Sequence, residues 1–105
     1  MTTQLERTEE QIARVKQELL ALGPMRPGSI SRQYRLPKEK ERPFYQISYT
    51  HRMRGLSEYV RPENLKTLTR ETTTFKRFKK LLDRWIDLSL QASQLRIRQE
   101  SSATR

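Results

Sequence analysis

Residues 43–61, PFYQISYTHRMRGLSEYVR, alternate apolar and polar side chains at every second position, and a period of two restricts the centre of this chain to paired strands. Tyr45, Ile47 and Tyr49 share one face, and Phe44, Gln46, Ser48 and Thr50 share the other. Leu56, Glu58 and Val60 then alternate with Ser57, Tyr59 and Arg61. The short stretch His51-Arg52-Met53-Arg54-Gly55 between the two runs predicts a hairpin loop with Gly55 in the left-handed position. Upstream, Ile30, Arg32 and Tyr34 alternate with Ser31, Gln33 and Arg35, which predicts a first strand over residues 29–35. The Tyr45-Ile47-Tyr49 side is the more apolar and is expected to face a helix, leaving Phe44, Gln46, Ser48 and Thr50 outward.

Helices flank the strands. Residues 3–22 open on Thr2 or Thr3 as a cap, place Glu6, Glu9 and Glu10 early where the helix dipole favours acids, and stop at Gly23-Pro24. Leu5, Ile12 and Leu19 recur every seven residues, interleaved with Thr8, Val15 and Leu22. This seam suits packing on the chain's own C-terminal helix first, with a homodimer or protein partner bound through Leu5, Ile12, Val15, Leu19 and Leu22 as the alternative. Residues 23–28 form a connector in which two prolines and two glycines redirect the chain. After Pro62-Glu63-Asn64, Phe75, Phe78, Leu82, Trp85, Ser89 and Ala92 follow helical spacing, widened by Leu81, Leu88 and Leu95. The weak helix formers Thr67, Thr69 and Thr72 to Thr74 predict a short helix that breaks near Arg70 before the long one. The expected class is α+β: an N-terminal helix (1–22), a basic three-stranded antiparallel sheet (23–62), a helical segment whose long C-terminal helix covers the sheet and pairs with the first helix (63–99), and a disordered tail (100–105).

At 105 residues, 33 % hydrophobic, this is one small domain with a thin core. Its formal charge of +10 is unevenly spread: residues 1–22 carry −1, residues 23–62 carry +6 and residues 63–105 carry +5. Such a balance is usual among proteins that sit on nucleic acid. There is no cysteine, so no disulfide framework or thiolate metal site is expected, and no cofactor. The N-terminal stretch lacks an apolar run, and no segment approaches membrane-spanning length; a cytoplasmic protein without a membrane partner is expected.

Arginines and short donors on strands suit base-edge reading, because a two-stranded ribbon fits the major groove and Arg pairs bidentately with guanine. Arg32, Gln33, Gln46, Ser48, Arg52, Arg54 and Arg61 are the candidates, with Arg26, Lys38, Lys40, Arg42, Lys76, Lys79 and Lys80 as phosphate contacts. Duplex DNA is the expected polymer. Phe44 offers the alternative of stacking on an unpaired base, which is the RNA or single-strand reading, while Trp85 at helical spacing belongs to the core. Catalysis is not expected. His51 is the sole histidine and has no cysteine or carboxylate cluster near it, and Asp83 and Asp87 sit among Lys79, Lys80 and Arg84 as ordinary solvated pairs.

Gly28-Ser29-Ile30 leading to Tyr34, the run Pro43-Phe44-Tyr45-Gln46-Ile47-Ser48-Tyr49-Thr50, the pair Tyr59-Val60 and a helix bearing Phe75, Phe78, Leu82 and Trp85 resemble a family of small uncharacterised prokaryotic proteins often encoded beside transposases. The resemblance covers about residues 20–97. That family usually carries a C-x-K-x-x-C-x-C cluster before the Pro-Tyr-Tyr strand, where residues 36–41 here have no cysteine. The resemblance implies the strand-hairpin-helix layout and a mobile-element context; the expected role is that of a nucleic-acid-binding accessory or regulator linked to such an element, with a helical module acting with a transposase or defence factor as the alternative. Sheet and helix together also look like the DNA-binding sheets of integrase arm domains, a likeness of architecture.

Overall fold

A computed structural model describes residues 2–35 and 43–103. Along the chain come helix α1 (Gln4–Leu20), strands β1 (Ser29–Tyr34), β2 (Pro43–His51) and β3 (Arg54–Val60), a 3-10 turn (Pro62–Asn64) and helix α2 (Leu65–Ala103). The expected α+β class holds: an N-terminal helix, a three-stranded antiparallel sheet of order β1-β2-β3 and a long C-terminal helix. The charged stretch with Lys38, Lys40 and Arg42 lies outside the described residues.

The chain divides into two compact units, a helical one (residues 1–22 and 78–105) and a sheet one (residues 23–77). In the helical unit, α1 starts where the sequence places it. Thr3 is extended, and its hydroxyl accepts the Glu6 N–H at 3.1 Å. The seven-residue seam finds its partner within the chain: Val15 packs with Leu81 and Leu88 of α2, and Ile12, Leu19, Leu22 and Trp85 close around them. Ile12, Val15, Leu19 and Leu22 of the seam thus pack within the chain. Lys16 lies 5.3 Å from the Trp85 ring, and Arg96 donates to Glu9 at 3.2 Å, so both mark the edge where the two helices meet.

In the sheet unit the register pairs Ile30 with Ile47 and Ile47 with Glu58, then Tyr45 with Val60. Ile47 and Val60 are buried, as expected for the apolar side. Gly28 explains how the connector reaches the sheet. Its φ of +136° is open to glycine, and a Cβ there would stand 3.0 Å from both the Ile47 side chain and the Ser48 carbonyl oxygen. Arg26 ties the same connector on three sides. Its backbone N–H donates to the Glu71 carbonyl at 3.1 Å, its guanidinium donates to Glu58 at 2.8 Å, and it lies 5.2 Å from the Tyr49 ring.

Two expectations fail. The threonine run does not break the helix: α2 is continuous from Leu65 to Ala103. Thr73 donates to the Thr69 carbonyl at 2.8 Å, Thr74 to the Arg70 carbonyl at 3.0 Å, and Thr72 to the Thr69 carbonyl at 3.1 Å. Each hydroxyl is thus satisfied inside the helix and does not compete for an alternative backbone geometry. The same helix extends through Ser101 and Ser102 to Ala103, where a disordered tail was expected.

Candidate functional site

The hairpin is the first element of the site. His51 pairs with Arg54, which leaves a two-residue loop, Arg52-Met53. Both loop residues have positive φ, 51° and 67°, the geometry of the mirror-image turn that matches strand twist. Gly55 instead lies within β3, opposite Thr50. The expected placement of glycine at the turn is corrected: closing the loop on two residues moves the left-handed positions to an arginine and a methionine. Met53 is 99 % exposed, so no packing compensates the strain.

The sheet's open face is the second element. Pairing in register sets Ser29 beside Ser48, Ser31 beside Gln46, Gln33 beside Phe44, Ser48 beside Ser57 and Gln46 beside Tyr59. All of these share the side opposite Ile47. Ser, Thr and Gln therefore make up most of this face, with Phe44 and Tyr59 as its aromatics and no charged group among the paired positions. Gln33 donates to Ser31 at 3.2 Å, and the Ser48 and Ser57 hydroxyls are 3.3 Å apart, so the donors are held in place by one another. Tyr59 is 61 % exposed.

The candidates do not converge on one face. Gln33, Gln46 and Ser48 lie on the open side, whereas Arg32, opposite Tyr45, and Arg54, opposite His51, fall on the side of Ile47, both exposed at its margins. Arg32 lies 5.4 Å from the Tyr34 ring. Arg61 follows β3, exposed, with Glu63 at 3.9 Å, a contact of little energetic weight between solvated groups. Arg52 occupies the tip. Arg26 is a structural residue, because its guanidinium is engaged by Glu58 and Tyr49. Lys76 is exposed in the sheet unit, and Lys79 and Lys80 are exposed in the helical unit. Ser31, Ser57 and Tyr59 were missed, although the alternation of β3 together with a two-residue loop places Tyr59 beside Gln46.

Electrostatics separates the units. The sheet unit holds thirteen bases and five acids, net +8, and the helical unit nine and seven, net +2. Around Arg26, hydrogen bonds from its guanidinium and then from the Tyr49 hydroxyl, which donates to Glu58 at 2.9 Å, lower the Glu58 pKa from the ordinary carboxylate range. The bond to Glu58 in turn raises the Tyr49 pKa. Among the described residues no group of three His, Cys, Asp or Glu side chains is placed to hold a metal ion, and no helix is long and apolar enough to cross a membrane. A scan of protein-family models, a search of curated proteins and a search of solved structures each find no match to this chain.

Proposed function

We propose that the sheet unit binds nucleic acid, with duplex DNA as its preferred polymer. The observation that carries this reading is the division of labour within a +8 unit. An open sheet face made of uncharged hydrogen-bonding side chains is flanked by arginines at the hairpin tip and the strand margins. Neutral donors and acceptors suit base edges, where a stray charge would be desolvated without a partner. Cations suit phosphates, which position a protein without specifying sequence. In this arrangement Gln33, Gln46 and Ser48 read, while Arg52, Arg54, Arg32 and Arg61 anchor.

The hairpin tip supports the same reading. Two side chains held at positive φ in full solvent are unfavourable for folding, and such outliers gather at functional sites. One observation favours a second polymer. Tyr59 is exposed and lies diagonally from Phe44 on the open face, a pair on which unpaired bases stack. The accessory or regulatory role beside a mobile element rests on the resemblance of residues 20–97.

Fluorescence anisotropy with duplex DNA, single-stranded DNA and RNA across a salt series tests the proposal. Duplex binding that persists near physiological salt, is weakened at least about tenfold by Arg52→Ala with Arg54→Ala, and loses sequence preference in Gln46→Ala is the expected result. If Tyr59→Ala abolishes binding and single strands are preferred, the stacking reading replaces the groove reading. A double arginine variant that binds like the parent overturns both.

A further inference from the structure

The hairpin tip holds an apolar side chain that the fold does not use. Met53 is 99 % exposed and stands in a two-residue turn at a φ of 67°, where Asn, Asp or Gly would meet the geometry at least cost. Packing offsets neither the strain nor the exposed thioether. Its neighbours Arg52 and Arg54 are exposed cations, and residues 43–57 contain no acid. The first acid beyond them, Glu58, is engaged by Arg26 and Tyr49. The tip is therefore an unpacked apolar point between two cations.

Behind the tip, Gly55 lies in β3 opposite Thr50, with open space where its Cβ would stand. A glycine inside a strand lets another backbone come close. Ser48, Thr50 and Ser57 share with it a shallow groove of about 300 Å³, so hydroxyl groups line the approach to the tip.

We propose that Met53 is a wedge that enters between two base pairs of duplex DNA and kinks it there, with Arg52 and Arg54 on the flanking phosphates. This inference rests on the nucleic-acid reading of the sheet unit and deepens it by naming a deformable duplex step as the target. The charges bring the tip to a polyanion, and the apolar end then has an apolar place to go, the interior of the base stack. An unbranched thioether is thin, flexible and polarisable, and its sulfur makes favourable contacts with aromatic faces. Packed carbon atoms lie about 3.5–4 Å apart, so one such chain fills the gap left when a step opens by one further stacking spacing of about 3.4 Å. Closing the loop on two residues keeps the entering end narrow, with strands about 4.8 Å apart. Unstacking costs least at pyrimidine–purine steps, so the wedge confers a preference for TA and CA steps that the hydrogen bonds of Gln33, Gln46 and Ser48 do not supply.

Anisotropy and 2-aminopurine fluorescence of one short duplex test the proposal. One duplex carries 2-aminopurine as the adenine of a single TA step, and a second carries it inside an A-tract. The full chain is expected to raise the fluorescence of the TA duplex as stacking is lost, to raise that of the A-tract less, and to bring fluorophores at the duplex ends closer by energy transfer. Met53→Ala should abolish the rise and weaken binding at least about fivefold, whereas Met53→Leu, which keeps an apolar side chain of similar size, should preserve both. Because the side chain is exposed, circular dichroism should be unchanged in each variant. A duplex that binds in a way that depends on Arg52 and Arg54 but shows no rise overturns the wedge and leaves the nucleic-acid reading standing. So does a rise indifferent to Met53→Ala. Absence of any duplex binding overturns both. Vesicles of phosphatidylserine and phosphatidylcholine form the last arm: binding to them that needs Met53, with the duplex left stacked, makes the tip a lipid-surface anchor and overturns the wedge.

Discussion

Two backbone positions govern what single residues do here, and they act in opposite directions. At Gly28 a positive φ coincides with a close approach to the Ile47 side chain and the Ser48 carbonyl oxygen. Gly28→Ala is expected to destabilise the fold by about 2 kcal/mol, read as a lower urea midpoint with an unchanged slope. At the hairpin tip the strain is already present in Arg52 and Met53. Met53 is almost fully exposed, so Met53→Gly removes strain and no packing, and a gain of about 1 kcal/mol is expected. Adding Arg52→Asn should raise the thermal midpoint further and weaken duplex binding in the same protein. A tip variant that gains stability and keeps full affinity would show that the strain serves no binding role.

Elements show how far local signals carry. The α1 seam suits a partner in either the same chain or another, and Val15 is buried against Leu81 and Leu88 of the same chain. Val15→Ala should therefore destabilise the monomer by about 2 kcal/mol without changing its association state, since the lost contacts lie inside the helical unit. A melting curve and a sedimentation run on one sample check both halves. The threonine run teaches the converse: threonine is a poor helix former alone, yet α2 passes through residues 72–74 with each hydroxyl bonded back to a carbonyl of the preceding turn. Thr3→Ala removes the cap of α1 and should cost about 1 kcal/mol, visible as earlier fraying in amide exchange over the first turn.

Across the whole molecule, charge is distributed by unit and pH acts through one cluster. Glu58 has a lowered pKa because Arg26 and Tyr49 donate to its ionised form. A carboxylate shifted this way stabilises the fold above its unfolded value, and that contribution is lost as pH falls through the lower folded value. Tyr49 is raised by the same contact, so its share is present below its unfolded value and is lost as pH climbs through the folded one. Stability should thus decline at both acid and strongly alkaline pH. Glu58→Gln should flatten the acid limb of a melting-temperature profile, and an unchanged acid limb would remove Glu58 from this role. Net charge predicts a steep fall of nucleic-acid affinity with salt, with Arg52→Ala reducing the logarithmic slope by about one.

The strands, their inward faces, the α1 start and the spacing of the α2 core were legible in the residues themselves. Alternation and helical spacing are local properties, and burial of one face is their direct consequence. The concentration of charge on the sheet was equally open to reading, since charge is counted along the chain. Tertiary structure decided the rest. The exact strand register moved the left-handed turn positions from Gly55 to Arg52 and Met53, because one residue's slip in pairing redefines the loop. Packing against α2 took up Ile12, Val15, Leu19 and Leu22 of the seam, and left Ile86, Leu90 and Ile97 of α2 exposed. Arg26, one cation among twenty-two in the sequence, became structural because Glu58 and Tyr49, thirty-two and twenty-three residues away, come within reach only when the sheet forms. Charge is a property of composition, but the work a given charge does depends on which neighbours the fold brings beside it.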